Sequence, residues 1–209
     1  MNITHDHFIH DAAIRVLRAG DAGYPAILLT HLASAAPATL SALGNLDLLA
    51  LPKTALFCSA RCPGNAILAA YDQSAIWRDS GRCIISGFHS SVERECLRIL
   101  LRGKQPIIIC PARALPKRIP PEWRQPLADG RLLILSAFPD TETRVTVALA
   151  HRRNEIVAAL GDEAYFAHIA PNSHLHQVAL SLSRTNGNGP TPLTVSWPTN
   201  NGLKPGSKG

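Results

Sequence analysis

Aromatic residues are scarce in this sequence, and the patterns that mark membrane or secreted proteins are missing from it. Phe, Trp and Tyr together make up 5% of its 209 residues, which argues against an extensive platform for stacking nucleic-acid bases. No apolar run approaches the ~20 residues of a membrane span. The first residues lack the basic and then apolar pattern of a secretion signal. We therefore expect a cytoplasmic protein that does not contact membranes.

The sequence also lacks paired cysteines. Its five cysteines are an odd number and include no C-x-x-C pair, which argues against a disulfide framework and against a zinc site. We expect Cys58, Cys83 and Cys110, which fall in or at the end of apolar runs, to be buried free thiols. Cys62 lies in a turn beside Arg61, where a reactive thiol is the less favoured alternative.

Familiar catalytic and phosphate-binding signatures are absent as well. Neither G-x-G-x-x-G nor G-x-x-x-x-G-K-[ST] occurs, which argues against dinucleotide and P-loop chemistry, and there is no G-x-S-x-G nucleophile elbow. His5, His7 and His10 form a small cluster, but without further ligand residues a solvated helix start is favoured over a metal site. We predict no metal and no cofactor.

The order of apolar runs and helical patterns indicates an α/β fold. Short apolar runs predict strands at 54–58, 82–86, 106–110, 132–135 and 164–169. Helices are predicted at 65–78, 91–102, 122–127 and 174–182, and a further helix of undefined start is predicted to include 156–161. Such alternation is typical of a mostly parallel, doubly wound, Rossmann-like sheet covered on both faces. The wholly apolar third run, 106–110, is expected to be central.

Three segments follow from this pattern. Residues 1–52 are predicted to form a short, helical N-terminal extension, with an amphipathic helix from Phe8 to Gly20. Residues 53–182 form the Rossmann-like domain. Residues 183–209 combine a Gly- and Asn-rich linker, an edge strand at 193–197 and a polar tail expected to be disordered.

Two small, hydroxyl-rich turns follow the first two strands of this domain. In such sheets ligands bind beyond the carboxyl ends of the strands. Ser59 and Arg61 precede a helix N-terminus, which favours either an anion or a plain solvated turn. In the second turn, Ser86 and Gly87 would shape a pocket, and His89 and Ser90 would point into the crevice as further binding residues.

The serine that follows this second turn is explained by helix capping. Ser90 and Glu93 have the spacing of a capping box, so a Ser–His hydrolytic pair is disfavoured here and we expect a protein that is not an enzyme.

Basic residues suggest an anionic partner. The net charge is +6 and the isoelectric point about 9.4, which suits a polyanion. Arg153 is spaced with Ile156 and Val157 on the inward stripe of a helix, and a buried arginine needs an anionic partner from the protein or a ligand. Our hypothesis is that Arg61, Arg152 and Arg153 converge on one hollow, with Asn154 beside them.

These motifs, in this order, resemble the DNA-processing protein A (DprA/Smf) family. The matching residues are Tyr24-Pro25, Gly44-Asn45, Ser59-Ala60-Arg61, Ser86-Gly87 with the following residues to Glu93, Phe138-Pro139, and Arg152-Arg153-Asn154 with the following residues to Asp162. The last match is the most specific. The resemblance covers roughly residues 24–180, and it departs from the family at Ser59, Ser90, Ser91 and Glu93, where the family has Gly, Arg, Gly and Asp.

The resemblance implies a Rossmann-like domain that binds single-stranded DNA and helps to load a RecA-type recombinase, with a homodimer as a further expectation. The family's Gly-Ser-Gly-Ser loop corresponds to Pro171-Asn172-Ser173, which adds Ser173 to the candidate binding residues.

Two other functions stay open at this point. The same crevice would suit a nucleotide or a phosphosugar, because the arginine of the second motif is replaced by Ser90. An enzyme that cleaves a nucleotide glycosidic bond would need paired carboxylates, and only Glu93 lies near.

Overall fold

A computed structural model describes residues 14–185 and 194–196 of the chain. Its strands are β1 (Arg15–Arg18), β2 (Thr39–Gly44), β3 (Lys53–Cys58), β4 (Cys83–Ser86), β5 (Ile107–Ile109), β6 (Leu132–Ser136), β7 (Glu163–His168) and β8 (Thr194–Ser196). Its α-helices are α1 (Ala26–Leu32), α2 (Gly64–Ser80), α3 (Ser91–Leu101), α4 (Pro121–Ala128), α5 (Val147–Leu160) and α6 (His174–Thr185). Short 3₁₀ helices cover Ala33–Ala35 and Leu46–Ala50.

All described strands belong to one sheet, in the order β1-β2-β6-β5-β4-β3-β7-β8. The six strands from β6 to β8 pair in parallel, whereas β2 runs antiparallel to β6 and β1 antiparallel to β2. This confirms the predicted mostly parallel α/β fold, and the apolar β5 is central as predicted. The edge strand predicted at 193–197 is confirmed over β8.

Alternate side chains of the parallel strands pack into two layers of helices. In β4, Ile85 belongs to the core cluster of α5 and α6, and the neighbouring Ile84 belongs to the cluster of α2 and α3 on the other face. Successive residues of a strand point to opposite faces, so a wholly apolar strand is needed where both faces are covered. Two helical layers on one parallel sheet leave the carboxyl edge of the strands open for a site.

The N-terminal prediction needs a correction. A helix was expected up to Gly20, but in its described part Arg15–Arg18 is strand β1, with Leu17 buried and its neighbours exposed. One buried position in four residues carries too little periodicity to distinguish a strand from a helical stripe. Residues 39–44 hydrogen-bond with β6 and so share the sheet with the predicted domain.

Several predictions fall outside the described residues. These are the N-terminal histidine cluster, the Gly- and Asn-rich part of the linker from 186 to 193, and the polar tail after 196. No helix within 14–185 is long and apolar enough to cross a membrane.

The turn at Gly44-Asn45, at the end of β2, requires glycine at its first position. Gly44 has a φ of +112°, and a Cβ there would lie 2.2 Å from the carbonyl oxygen of Leu132 in β6. Asn45 fixes the turn through its side chain, which accepts from the backbone N–H of Asp47 at 3.0 Å and donates to the carbonyl of Gly130 at 2.8 Å.

We expect Gly44→Ala to lower the free energy of unfolding by about 2–3 kcal/mol, because the left-handed backbone and the backbone clash both oppose a side chain. Gly64→Ala is the matched control, since a Cβ at this first residue of α2 meets nothing within 4 Å. Urea unfolding of both variants measures the effect. Equal stabilities would contradict the assignment.

Candidate anion-binding site

The serines of the two predicted turns are hydrogen-bonded within the protein. The buried Ser59 accepts from the backbone N–H of Ala170 through its hydroxyl at 2.9 Å, which ties the turn after β3 to the loop after β7. The hydroxyl of Ser86 donates to the carbonyl of Leu56 at 2.8 Å and accepts from the N–H of Phe88 at 3.2 Å. Both hydroxyls therefore hold the strand ends in place.

A buried carboxylate accepts hydrogen bonds from the end of β3 and from the turn after β4. Glu93 is 6% exposed, and its Oε2 accepts from the N–H groups of His89 at 2.8 Å and Ser90 at 3.1 Å. Its Oε1 accepts from the N–H of Cys58 at 2.9 Å. With the reciprocal bond from the Glu93 N–H to the Ser90 hydroxyl, this is the predicted capping box. The protein itself supplies the negative charge at this helix N-terminus.

Arg153 lies close to this carboxylate and is also buried, with 5% of its surface exposed. Its Nη1 donates to the carbonyl of Cys110 at 3.1 Å, and its Nε donates to Oδ1 of Asn154 at 2.8 Å. Burial lowers the pKa of Arg153, and the negative charge of Glu93 opposes this shift. Arginine is nevertheless protonated under all ordinary conditions.

Gly87 provides the space for this guanidinium. A Cβ at Gly87 would lie 1.2 Å from Nη1 and 1.8 Å from Cζ of Arg153. The missing side chain therefore serves the packing of an arginine on the protein's own α5, and the glycine in the second turn is explained without a ligand.

A cavity of about 350 Å³ opens beside this arrangement, between α3, α4 and the ends of β4 and β5. Gly87, His89 and Arg153 of the predicted site line it. The lining also includes residues that sequence reasoning did not assign to the site, notably Phe88, Arg94, Arg98, Arg113 and Trp123.

The cavity is strongly basic. Four arginines and one carboxylate, Glu122, are among its lining residues. Arg98 pairs with Glu95 at 2.7 Å, whereas the exposed side chains of Arg94 and Arg113 make no ion pair within the described part of the chain. Several unpaired positive charges around one concave surface attract anions.

The other two arginines of the predicted cluster lie elsewhere. Arg152 pairs with Glu155 at 2.8 Å, and Glu155 also contacts Nε2 of His174 at 3.3 Å. Arg61 is exposed, and its side chain makes no hydrogen bond or ion pair within residues 14–185. Only Arg153 of the three lines the cavity, so the expected convergence is not found there.

The remaining predicted residues have local contacts. Ser90 caps α3, Asn154 holds Arg153, and the Ser173 hydroxyl accepts from the N–H of His176 at 3.3 Å at the start of α6. Their binding roles stay predictions.

The cysteine predictions agree with the structure. Cys58, Cys83 and Cys110 are buried free thiols, as is Cys96. Cys62 is half-buried, and burial raises its pKa. A raised pKa disfavours the thiolate, so the reactive alternative at Cys62 has no support. Among the residues of known placement, no three His, Cys, Asp or Glu side chains are arranged to hold a metal ion.

The residues that were missed had a weak signal in the sequence. Arg94 and Arg98 stand four residues apart on the outer face of α3, a spacing that equally describes an ordinary solvated helix. Arg113 lies in the proline-rich loop after β5, the central strand, where ligand-binding loops of such sheets are found.

Comparison with known proteins assigns the family. The family model of DNA recombination-mediator protein A matches residues 15–181. The chain belongs to this family. A search of curated protein sequences finds no match.

Two solved structures of family members share the fold. DNA processing protein A (DprA) from Streptococcus pneumoniae superposes with a TM-score of 0.64 at 21% identity, covering 86% of this chain and 64% of that one. The Helicobacter pylori protein, described for its single-stranded DNA binding mode, gives 0.64 at 18% identity, covering 88% and 81%. The chain thus spans less than two thirds of the pneumococcal protein.

We expect Glu93→Gln to lower the free energy of unfolding by about 2–3 kcal/mol. The amide loses the charge that three backbone N–H groups share, and it places a donor where an acceptor is needed. Glu95→Gln on the same helix removes the same charge from a partly exposed ion pair and should cost less than about 1 kcal/mol. Chemical denaturation compares the two, and similar losses would refute the role of Glu93.

The stacked pair His151 and His174, whose ring centroids are 4.0 Å apart, makes stability depend on pH. Burial lowers the pKa of His151 below its ordinary 6.5, His174 adds to this effect, and Glu155 opposes it. The unfolded chain therefore binds more protons between the lowered pKa and 6.5. The stability contribution of His151 is complete above about 6.5 and is lost as pH falls through the lowered pKa.

We expect the unfolding free energy to decrease between pH 7 and pH 5 more steeply in the wild type than in His151→Gln. Urea titrations at several pH values give both slopes. Identical slopes would show that the stacked ring does not titrate as described.

Proposed function

We propose that this protein binds single-stranded DNA, without catalysis, in the basic cavity between α3 and α4. The cavity is the observation that carries the proposal, because its lining includes four arginines and one carboxylate. Membership of the DNA recombination-mediator protein A family and the single-stranded DNA binding of the Helicobacter pylori relative favour DNA over other anions.

The charges divide into a fixed and an adaptable set. Arg153 is held by Cys110 and Asn154, so its guanidinium lies in place before any ligand arrives. Arg94 and Arg113 are exposed at the cavity and are not paired within the described ranges. They are suited to contact phosphates, which supply most of the affinity for nucleic acid and make it salt-dependent.

Trp123 offers the cavity an aromatic surface. It is the third residue of α4, is half-buried and lines the cavity. Base–aromatic stacking contributes about 1–3 kcal/mol per base and tolerates any sequence. One such contact fits a protein with few aromatic residues, since no extended stacking platform is required.

The contacts in the turns oppose a hydrolytic function. Ser86 is fully buried, Ser90 caps α3, and the carboxylate of Glu93 is committed to three backbone donors. A nucleotide or a phosphosugar, the alternative ligand, would bind in the same cavity. The experiment below therefore includes a mononucleotide as a competitor. From the family resemblance we also propose that the protein contacts a RecA-type recombinase and forms a homodimer.

The test is fluorescence anisotropy with a labelled oligothymidylate at several salt concentrations. The wild type should bind, and the double variant Arg94→Gln/Arg113→Gln should bind roughly tenfold or more weakly, with the slope of log K against log salt reduced by about 1.4 for two lost phosphate contacts. Unlabelled dTMP should compete poorly.

The control is Arg15→Gln/Arg18→Gln, which removes the same charge from the edge strand β1. It should keep nearly wild-type affinity. The proposal fails if the wild type does not bind at low salt, if both double variants lose affinity equally, or if dTMP displaces the oligonucleotide at equimolar concentration.

A further inference from the structure

A row of arginines continues from the cavity along the outer face of α3. Arg94, Arg98 and Arg102 follow each other at intervals of four residues and are all exposed. Residues four apart lie on one face of a helix, so the row spans about 12 Å at a rise of 1.5 Å per residue. Arg94 and Arg98 line the cavity, whereas Arg102 lies beyond it at the C-terminal end of the helix.

The row is available to an external anion. The side chains of Arg94 and Arg102 make no ion pair within residues 14–185. Arg98 pairs with Glu95, but both side chains are accessible, at 69% and 32%. An exposed pair of this kind contributes little to stability, so a phosphate can replace the carboxylate at little cost.

Helix electrostatics do not explain the row. A basic residue at the C-terminal end of a helix, such as Arg102, is favoured by the helix dipole. Arg94 stands in the first half of the same helix, close to its positive end, where the dipole offers no benefit. The row is thus no consequence of the helix dipole, and its regular spacing beside a basic cavity is complementary to a ligand with repeated negative charges.

We propose that a single strand leaving the cavity runs along α3, with its successive phosphates contacting Arg94, Arg98 and Arg102. This inference rests on the proposed function and extends it. The contacts are made to the sugar–phosphate backbone only, so they add affinity without base preference. Strands long enough to reach Arg102 should bind more tightly than strands that fill the cavity alone.

The experiment measures the affinity for labelled oligothymidylates of graded length, on the order of 4 to 16 nucleotides, for the wild type and Arg102→Gln. The variant should match the wild type for the shortest oligonucleotide that binds. It should bind longer ones about 3- to 10-fold more weakly, with a salt slope smaller by about 0.7. Arg102→Lys, which keeps the charge, should restore the slope.

Arg18→Gln on β1 removes the same charge and is the control. Its affinity should vary with oligonucleotide length in the same way as that of the wild type. If the wild type binds but Arg102→Gln shows no deficit at any length, the path along α3 is overturned while binding in the cavity stands. If the wild type binds no oligonucleotide at low salt, both the proposed function and this extension fail. Thermal unfolding confirms that the variants are folded.

Discussion

The carboxylate of Glu93 is the contact on which the candidate site depends. It joins the end of β3, the turn after β4 and the start of α3 through three backbone N–H groups. Its negative charge also opposes the lowering of the Arg153 pKa by burial. Glu93 and Arg153 are both buried, and burying two opposite charges near each other costs less than burying either one alone.

This arrangement determines where the positive potential of the candidate site comes from. In many parallel α/β proteins the backbone N–H groups at the strand ends face a bound phosphate. Here the N–H groups of Cys58, His89 and Ser90 bond to Glu93 instead. The positive potential comes instead from side chains on α3, α5 and the loop after β5, and three of these arginines, Arg94, Arg98 and Arg113, are exposed. Affinity should therefore depend on salt more than on exact ligand geometry.

The fold could be predicted from sequence because each buried strand is a short apolar run bounded by turn residues, as at 107–109 and 132–136. Strand β1 could not, since four residues with one buried position carry too little periodicity. For the site, the inward stripe of α5 identified Arg153, and the capping box identified Ser90 and Glu93. The cavity itself depends on how α3 and α4 approach each other, and neither local spacing nor motif order contains that distance.

Gly87 and Arg153 are 66 residues apart in sequence but depend on each other, because the guanidinium of Arg153 occupies the volume of the missing side chain at Gly87. A side chain at Gly87 would therefore force the guanidinium to move away from the carbonyl of Cys110 and from Asn154. Where a shorter residue replaces the arginine, the vacated volume admits alanine or serine at the glycine without such a shift. We therefore expect substitutions at the two positions to be coupled.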